Sequence, residues 1–198
     1  MTRKTRVHLI RHGEVERPQC YNGHFDVGLT ERGIEQYHGL KPRLEPGRIV
    51  ACYTSDLTRT MRGGEILGGH LGVRPVHIPE LREMNYGAWV GLTIPEIQEK
   101  RPGEWEARLS DVVGYRVPGG ESLGDLAARV LPAYHEIVAH HQGEEVLVVA
   151  HGGVNRVILL DAIGAPLAPM FCIDQKYCAL NVIDYYADGN RVVKLLNG

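Results

Sequence analysis

The chain of 198 residues predicts an α/β fold, a three-layer α/β/α sandwich whose sheet is mostly parallel and ends in an antiparallel C-terminal hairpin. Two observations carry this prediction. Short apolar runs rich in Val, Ile and Leu alternate with longer segments of helical periodicity. At the end of the chain, Asp188-Gly189-Asn190 separates two strand-like runs, which is a hairpin signal.

Residues 7–10, with His8 interrupting, 49–53 and 146–150 are four or five residues long and rich in Val, Ile and Leu, and read as buried parallel strands. Residues 30–40 and 56–68 read as helices, with Gly63 and Gly64 expected to weaken the second. The clearest helix covers 122–140, where Leu123, Leu126, Ala127, Val130, Leu131, Tyr134, Ile137 and Val138 repeat at spacings of three and four. Ser122 and Asp125 form a capping-box pattern at its start, and Pro132 is expected to kink or split it. Residues 180–187 and 191–196 make the hairpin. Between residues 79 and 120 periodicity is poor and Gly and Pro are frequent, so this stretch is expected as an irregular, partly helical excursion within a single domain of residues 1–198.

Composition narrows the function. The 22 Lys and Arg against 24 Asp and Glu leave a net charge of −2, which argues against nucleic acid as a partner. An anionic small molecule needs only a few local cations and stays open. No run reaches the ~20 apolar residues of a membrane span, and the apolar start is shorter than the roughly 7–15 residues of a signal core. The four cysteines contain no Cys-x-x-Cys pair and are expected as reduced thiols. A cytoplasmic protein without a membrane partner is therefore expected; a homodimer is left open.

Three strands end on the same design. The first runs into Arg11-His12-Gly13, the second into Thr54-Ser55-Asp56 with Arg59 in the following helix, and the third into His151-Gly152-Gly153. In an open parallel sheet these carboxyl ends share one edge, where helix amino termini suit an anion. Arginine forks match phosphate oxyanions, and a neutral imidazole is a competent nucleophile. A leaving alkoxide needs a proton donor, for which Glu83 is the first choice, with Glu80 and Glu14 as alternatives.

The segments LIRHGEV (9–15), YNGHFDVGLTERG (21–33), YTSDLTRT (53–60), LREMNYGAWVGLT (81–93), PGGES (118–122) and VVAHGGVNR (148–156) together resemble the histidine phosphatase superfamily, the phosphoglycerate mutase-like family. The resemblance implies a phosphoglycerate mutase-like fold and a metal-independent phosphomonoesterase, with no cofactor, acting on a small phosphorylated metabolite. It implies His12 as the phosphorylated nucleophile and Glu83 as proton donor. It implies Arg11, Arg59 and His151, with Gly152, as holders of the phosphoryl group, and Asn22 and Gly23 as substrate contacts. Val15 and Pro18 depart from the usual Ser or Thr and Asn of that pocket. The short excursion and Trp89 look like the phosphatase branch, similar to the α-ribazole phosphatases. The alternatives are a cofactor-dependent phosphoglycerate mutase and a non-catalytic phospho-ligand module.

Other residues have plainer readings. Of the remaining histidines only His24, near Asn22, has a claim on the pocket. Arg59 alone fits an ion pair with Asp56, and Tyr86 and Trp89 fit core or lid packing. Arg62, Arg82 and Arg116 are either entrance residues or solvated charge.

Overall fold

The computed structural model describes residues 4–198. Strands β1 (Lys4–Arg11), β2 (Ile49–Thr54), β3 (Pro75–His77), β4 (Glu145–Ala150), β5 (Leu180–Tyr186) and β6 (Arg191–Leu195) form a sheet of order β3-β2-β4-β1-β5-β6. Pairing is parallel from β3 to β1 and antiparallel through β5 and β6. The mostly parallel sheet with a C-terminal hairpin is thus as expected. The short strand β3 had no counterpart in the sequence reading, because three residues at an edge carry no usable period.

Alternation along the strands explains the three layers. Successive side chains of a strand point to opposite faces, so a run buried on both sides reads as uniformly apolar. In β4, Val146, Val148 and Ala150 enter one core, and Leu147 and Val149 enter the other. The first core is covered by α5 (Leu123–His140) and α6 (Gly152–Ala162), and the second by α1 (Glu31–Leu40) and α2 (Thr58–Leu71). Segment 79–120 carries α3 (Ile94–Lys100), α4 (Glu104–Ser110) and two single 3-10 turns. Its Leu81, Met84, Trp89 and Ile97 pack into the first core. Trp89 is fully buried, its indole N–H donating to Glu104 at 2.6 Å, so it is a packing residue.

The capping box of Ser122 and Asp125 is present in full. Of the two outcomes expected at Pro132, a split does not occur, since α5 runs unbroken for 18 residues. The expectation about the glycines of α2 needs correction. Gly63 and Gly64 do not loosen α2; they let it pack. A Cβ on Gly63 would stand 2.0 Å from the Tyr37 ring of α1, and one on Gly64 would stand 2.5 Å from Thr54 Cγ2. The helix exchanges intrinsic propensity for close approach, and tertiary contact outweighs a propensity cost of about 1 kcal/mol. Tyr37 is fully buried and its hydroxyl donates to the carbonyl of Arg59 at 3.2 Å, so this contact braces the main chain at Arg59. Gly63→Ala is expected to destabilise by about 1–3 kcal/mol through overpacking, read as a lowered midpoint of thermal or urea unfolding. A wild-type midpoint would refute that packing argument.

Candidate active site

Strand order brings the predicted segments together. In β1 and β4, Arg11 is paired with Ala150, so His12 and His151 leave adjacent strands side by side. In β2 and β4, Thr54 is paired with Val149, so Ser55 emerges on the other side of His151. His12 is anchored through its main chain, donating to Ala150 O at 2.9 Å and accepting from Cys178 N at 3.2 Å. The His12 and His151 rings lie 5.3 Å apart, edge to face. His151 Nε2 and Ser55 Oγ are hydrogen-bonded at 2.8 Å.

The tautomer of His12 follows from one contact. Nδ1 lies 2.8 Å from the carbonyl oxygen of Gly13, which can only accept, so Nδ1 carries the proton and Nε2 the lone pair. Burial, with Arg11 and Arg59 nearby, holds the His12 pKa well below its ordinary value. Burial does the same to His151, reinforced by Arg59, His12 and Arg11. Both rings are therefore neutral at physiological pH. In the unfolded chain they titrate near about 6.5, so below that pH the unfolded state binds more protons than the folded one. Stability is accordingly full above about pH 6.5 and falls as pH drops towards the folded-state values, by up to about 1.4 kcal/mol per pH unit for each ring. Unfolding midpoints measured between pH 7 and pH 5.5, above the main carboxylate titrations, are expected to fall; a flat profile would contradict it.

The arginines are held by carbonyls instead of carboxylates. Arg59, on the first turn of α2 and 1 % exposed, donates to Gly23 O at 2.6 Å and Phe25 O at 3.1 Å. Arg11 donates to Gln175 O at 2.5 Å and lies 4.2 Å over the Tyr177 ring. Neither forms an ion pair among the described residues, so both charges stay available to a ligand. Arg59 does not pair with Asp56, as its helix position allowed; Asp56 takes Arg82 in a two-pronged contact of 2.5 and 2.6 Å.

Glu83 is held by two main-chain donors, Met84 N at 2.9 Å and Gly153 N at 3.0 Å, the second being at the amino terminus of α6. A Cβ on Gly153 would fall 2.4 Å from Glu83 Oε1, so only glycine admits the carboxylate here. Behind it Arg129 of α5 donates to the carbonyls of Glu80, Arg82 and Glu83 and to both oxygens of Glu121, at 2.7–2.9 Å. This clamp fixes the backbone that carries Glu83.

One cavity of about 210 Å³ collects these groups: Arg11, His12, Asn22, Gly23, Arg59, Glu83, Gly152 and Gly153 all line it. Asn22 donates to Arg17 O at 2.9 Å and leaves its buried Oδ1 without a partner. His151 stands behind His12 and does not line the cavity, although its buried Nδ1 has no partner. Val15 and Pro18, the departures noted in the sequence, lie in the wall, and Pro18 O accepts from the Tyr177 hydroxyl at 2.7 Å. His24 stays outside the lining, and so do Arg62, Arg82 and Arg116, which pair with Glu65, Asp56 and Asp125. Glu80 and Glu14 also lie outside it.

The cavity includes residues that sequence reasoning missed. Arg108 on α4, Arg156 on α6 and Tyr177 line it, and Gln175 orients Arg11. Arg156 was findable, since it lies one helical turn beyond Gly152 on a helix that starts at the site. Arg108 had no such signal, because its helix belongs to the aperiodic stretch.

The family model of the histidine phosphatase superfamily, branch 1, matches residues 7–198. The chain belongs to that superfamily. Among its relatives, the "Bifunctional protein Rv2228c" of Mycobacterium tuberculosis is 32 % identical over 98 % of this chain. The chain spans about half the length of that relative, 54 %. The "Probable phosphoglycerate mutase GpmB" of Yersinia pestis is 29 % identical over 90 % of this chain and 84 % of its own length. Among solved structures, the α-ribazole phosphatase of Shigella flexneri superposes with a TM-score of 0.86 at 26 % identity, covering 98 % of this chain and 96 % of its own. The histidine phosphatase fold therefore extends over nearly the whole chain, as its motifs implied. No helix among the described residues is long and apolar enough to cross a membrane.

Proposed function

We propose that this histidine phosphatase hydrolyses a small phosphorylated metabolite through a phosphohistidine on His12. One observation carries the reading: His12 presents an unprotonated Nε2 in a cavity that also holds Arg11 and Arg59, neither in an ion pair among the described residues, and the carboxylate of Glu83. That set supplies a nucleophile, charge stabilisation and a proton carrier within one pocket, which is what transfer of a phosphoryl group needs.

In the first step Nε2 attacks phosphorus and the P–O bond to the substrate's carbon skeleton breaks. Arg11 and Arg59 balance the equatorial oxygens, and the leaving alkoxide takes the proton of Glu83. In the second step Glu83, now a carboxylate, takes a proton from water. The hydroxide formed attacks the phosphohistidine, breaks the P–N bond and releases inorganic phosphate with His12 restored. His151, held by Ser55 and packed on His12, keeps the nucleophile's ring in place and adds its free Nδ1 behind it. Asn22 and Gly23 form the wall towards the substrate.

The test is a panel of phosphate monoesters, including α-ribazole 5′-phosphate, phosphoserine, phosphoglycerates and sugar phosphates, assayed with and without EDTA. Metal-independent release of phosphate from at least one small metabolite is expected. Interconversion of 2- and 3-phosphoglycerate that depends on a bisphosphorylated primer, without net hydrolysis, would assign the chain as a mutase. Saturable binding with no turnover across the panel would make it a binding module.

A further inference from the structure

Arg108 is 1 % exposed, and its Nε and Nη1 are buried without a hydrogen-bond partner. It faces the catalytic cavity, and what surrounds it is aromatic: its guanidinium carbon lies 5.9 Å from the centre of the Trp89 ring and 6.0 Å from that of Phe171. A buried cation without a carboxylate is costly, and aromatic faces offset only part of that cost. A group that stays in such a place is suited to receiving a charge from outside.

Arg156 lines the same cavity from α6. It donates through Nε to Ile173 O at 2.7 Å, and its Nη1 reaches over Gly152, 3.3 Å from where a Cβ would stand there. Neither arginine forms an ion pair among the described residues, and Glu83 is the one carboxylate among the lining residues. Arg11 and Arg59 already match the dianionic phosphoryl group. Two further cations therefore remain, more than a monoester with a neutral remainder can neutralise.

We propose that Arg108 and Arg156 form a second anion subsite, and that the substrate is a compact phosphomonoester bearing another anionic oxygen group, a carboxylate or a second phosphate. The cavity volume of about 210 Å³ fits this, because it is below the range of about 300–1,000 Å³ usual for larger ligands. The inference rests on the phosphatase reading for its chemistry, but binding alone tests it.

Three probes separate the possibilities: 3-phosphoglycerate, glycerol 3-phosphate and propane-1,3-diyl bisphosphate. Their affinities are measured by calorimetry on the His12→Ala variant, which cannot consume them by the proposed route, and kcat/KM is measured on the wild type. Tighter binding of one anionic probe over glycerol 3-phosphate by about 10- to 100-fold is expected, as for a charge-assisted contact with a desolvated arginine. Preference for 3-phosphoglycerate identifies a carboxylate, and preference for the bisphosphate identifies a second phosphate. Arg108→Gln, and independently Arg156→Gln should the buried position fail to fold, are expected to collapse that ratio to within about 3-fold. Equal affinity for all three probes, or a ratio unmoved by either substitution, overturns the subsite. Loss of turnover with the binding ratio intact would instead count against the phosphatase reading and leave the subsite supported.

Discussion

His12→Ala is expected to abolish hydrolysis of an aryl phosphate, with a loss of at least ~10⁴-fold in kcat and a fold indistinguishable from wild type. The size follows from the role: removing a nucleophile removes the reaction path, whereas removing a charge contact only raises its barrier. Nε2 is the single unprotonated ring nitrogen of His12, because Nδ1 is committed to the Gly13 carbonyl. No other histidine takes its place, since His151 is fully buried, does not line the cavity and has Nε2 engaged with Ser55. In the wild type, rapid quenching during turnover should trap an acid-labile phosphoryl adduct that the variant lacks. Turnover retained in the variant within about tenfold would rule out the phosphohistidine route.

Glu83→Gln is the second large effect. Proton transfer by a placed side chain contributes typically about 10²–10⁴-fold, so alkyl phosphates, whose alkoxides leave poorly, are expected to lose that much. An aryl phosphate with an acidic phenol needs little protonation and should lose less in the first step. Its second step still lacks the group that activates water, so the phosphoenzyme is expected to accumulate. Quench-flow with a nitrophenyl ester checks this as a burst of phenol followed by slow release of phosphate. Equal losses on alkyl and aryl esters, without a burst, would remove Glu83 from both proton transfers. The isosteric amide preserves shape but keeps only one of the two contacts, since Met84 N donates to Oε1 and Gly153 N to Oε2 and the amide has a single accepting oxygen.

Much of this candidate site is legible in the sequence. Arg11, His12, Arg59 and Glu83 each lie in a segment with a distinctive local pattern, and strand-end placement of the first three suggested convergence. What the pattern missed has a physical cause. Arg82 and Arg129 look alike in the sequence as solvated charges, yet one pairs with Asp56 and the other wraps the main chain beneath Glu83. Gly63 and Gly64 read as weak points in a helix because propensity is a property of the isolated segment. Their role depends on Tyr37 of α1 for Gly63 and on Thr54 of β2 for Gly64, neither of which lies in the helix itself.

The sequence by itself determined the layer architecture, since continuous apolar runs such as that of β4 are buried on both faces, and it named the residues from which the candidate site is built. Only the tertiary structure decided the arrangement among them. Pairing of β1, β4 and β2 set His12, His151 and Ser55 in a row, and α4 and α6 turned Arg108 and Arg156 into the same cavity. Those facts depend on contacts between segments distant along the chain, and local periodicity carries no information about which distant segment a side chain will meet.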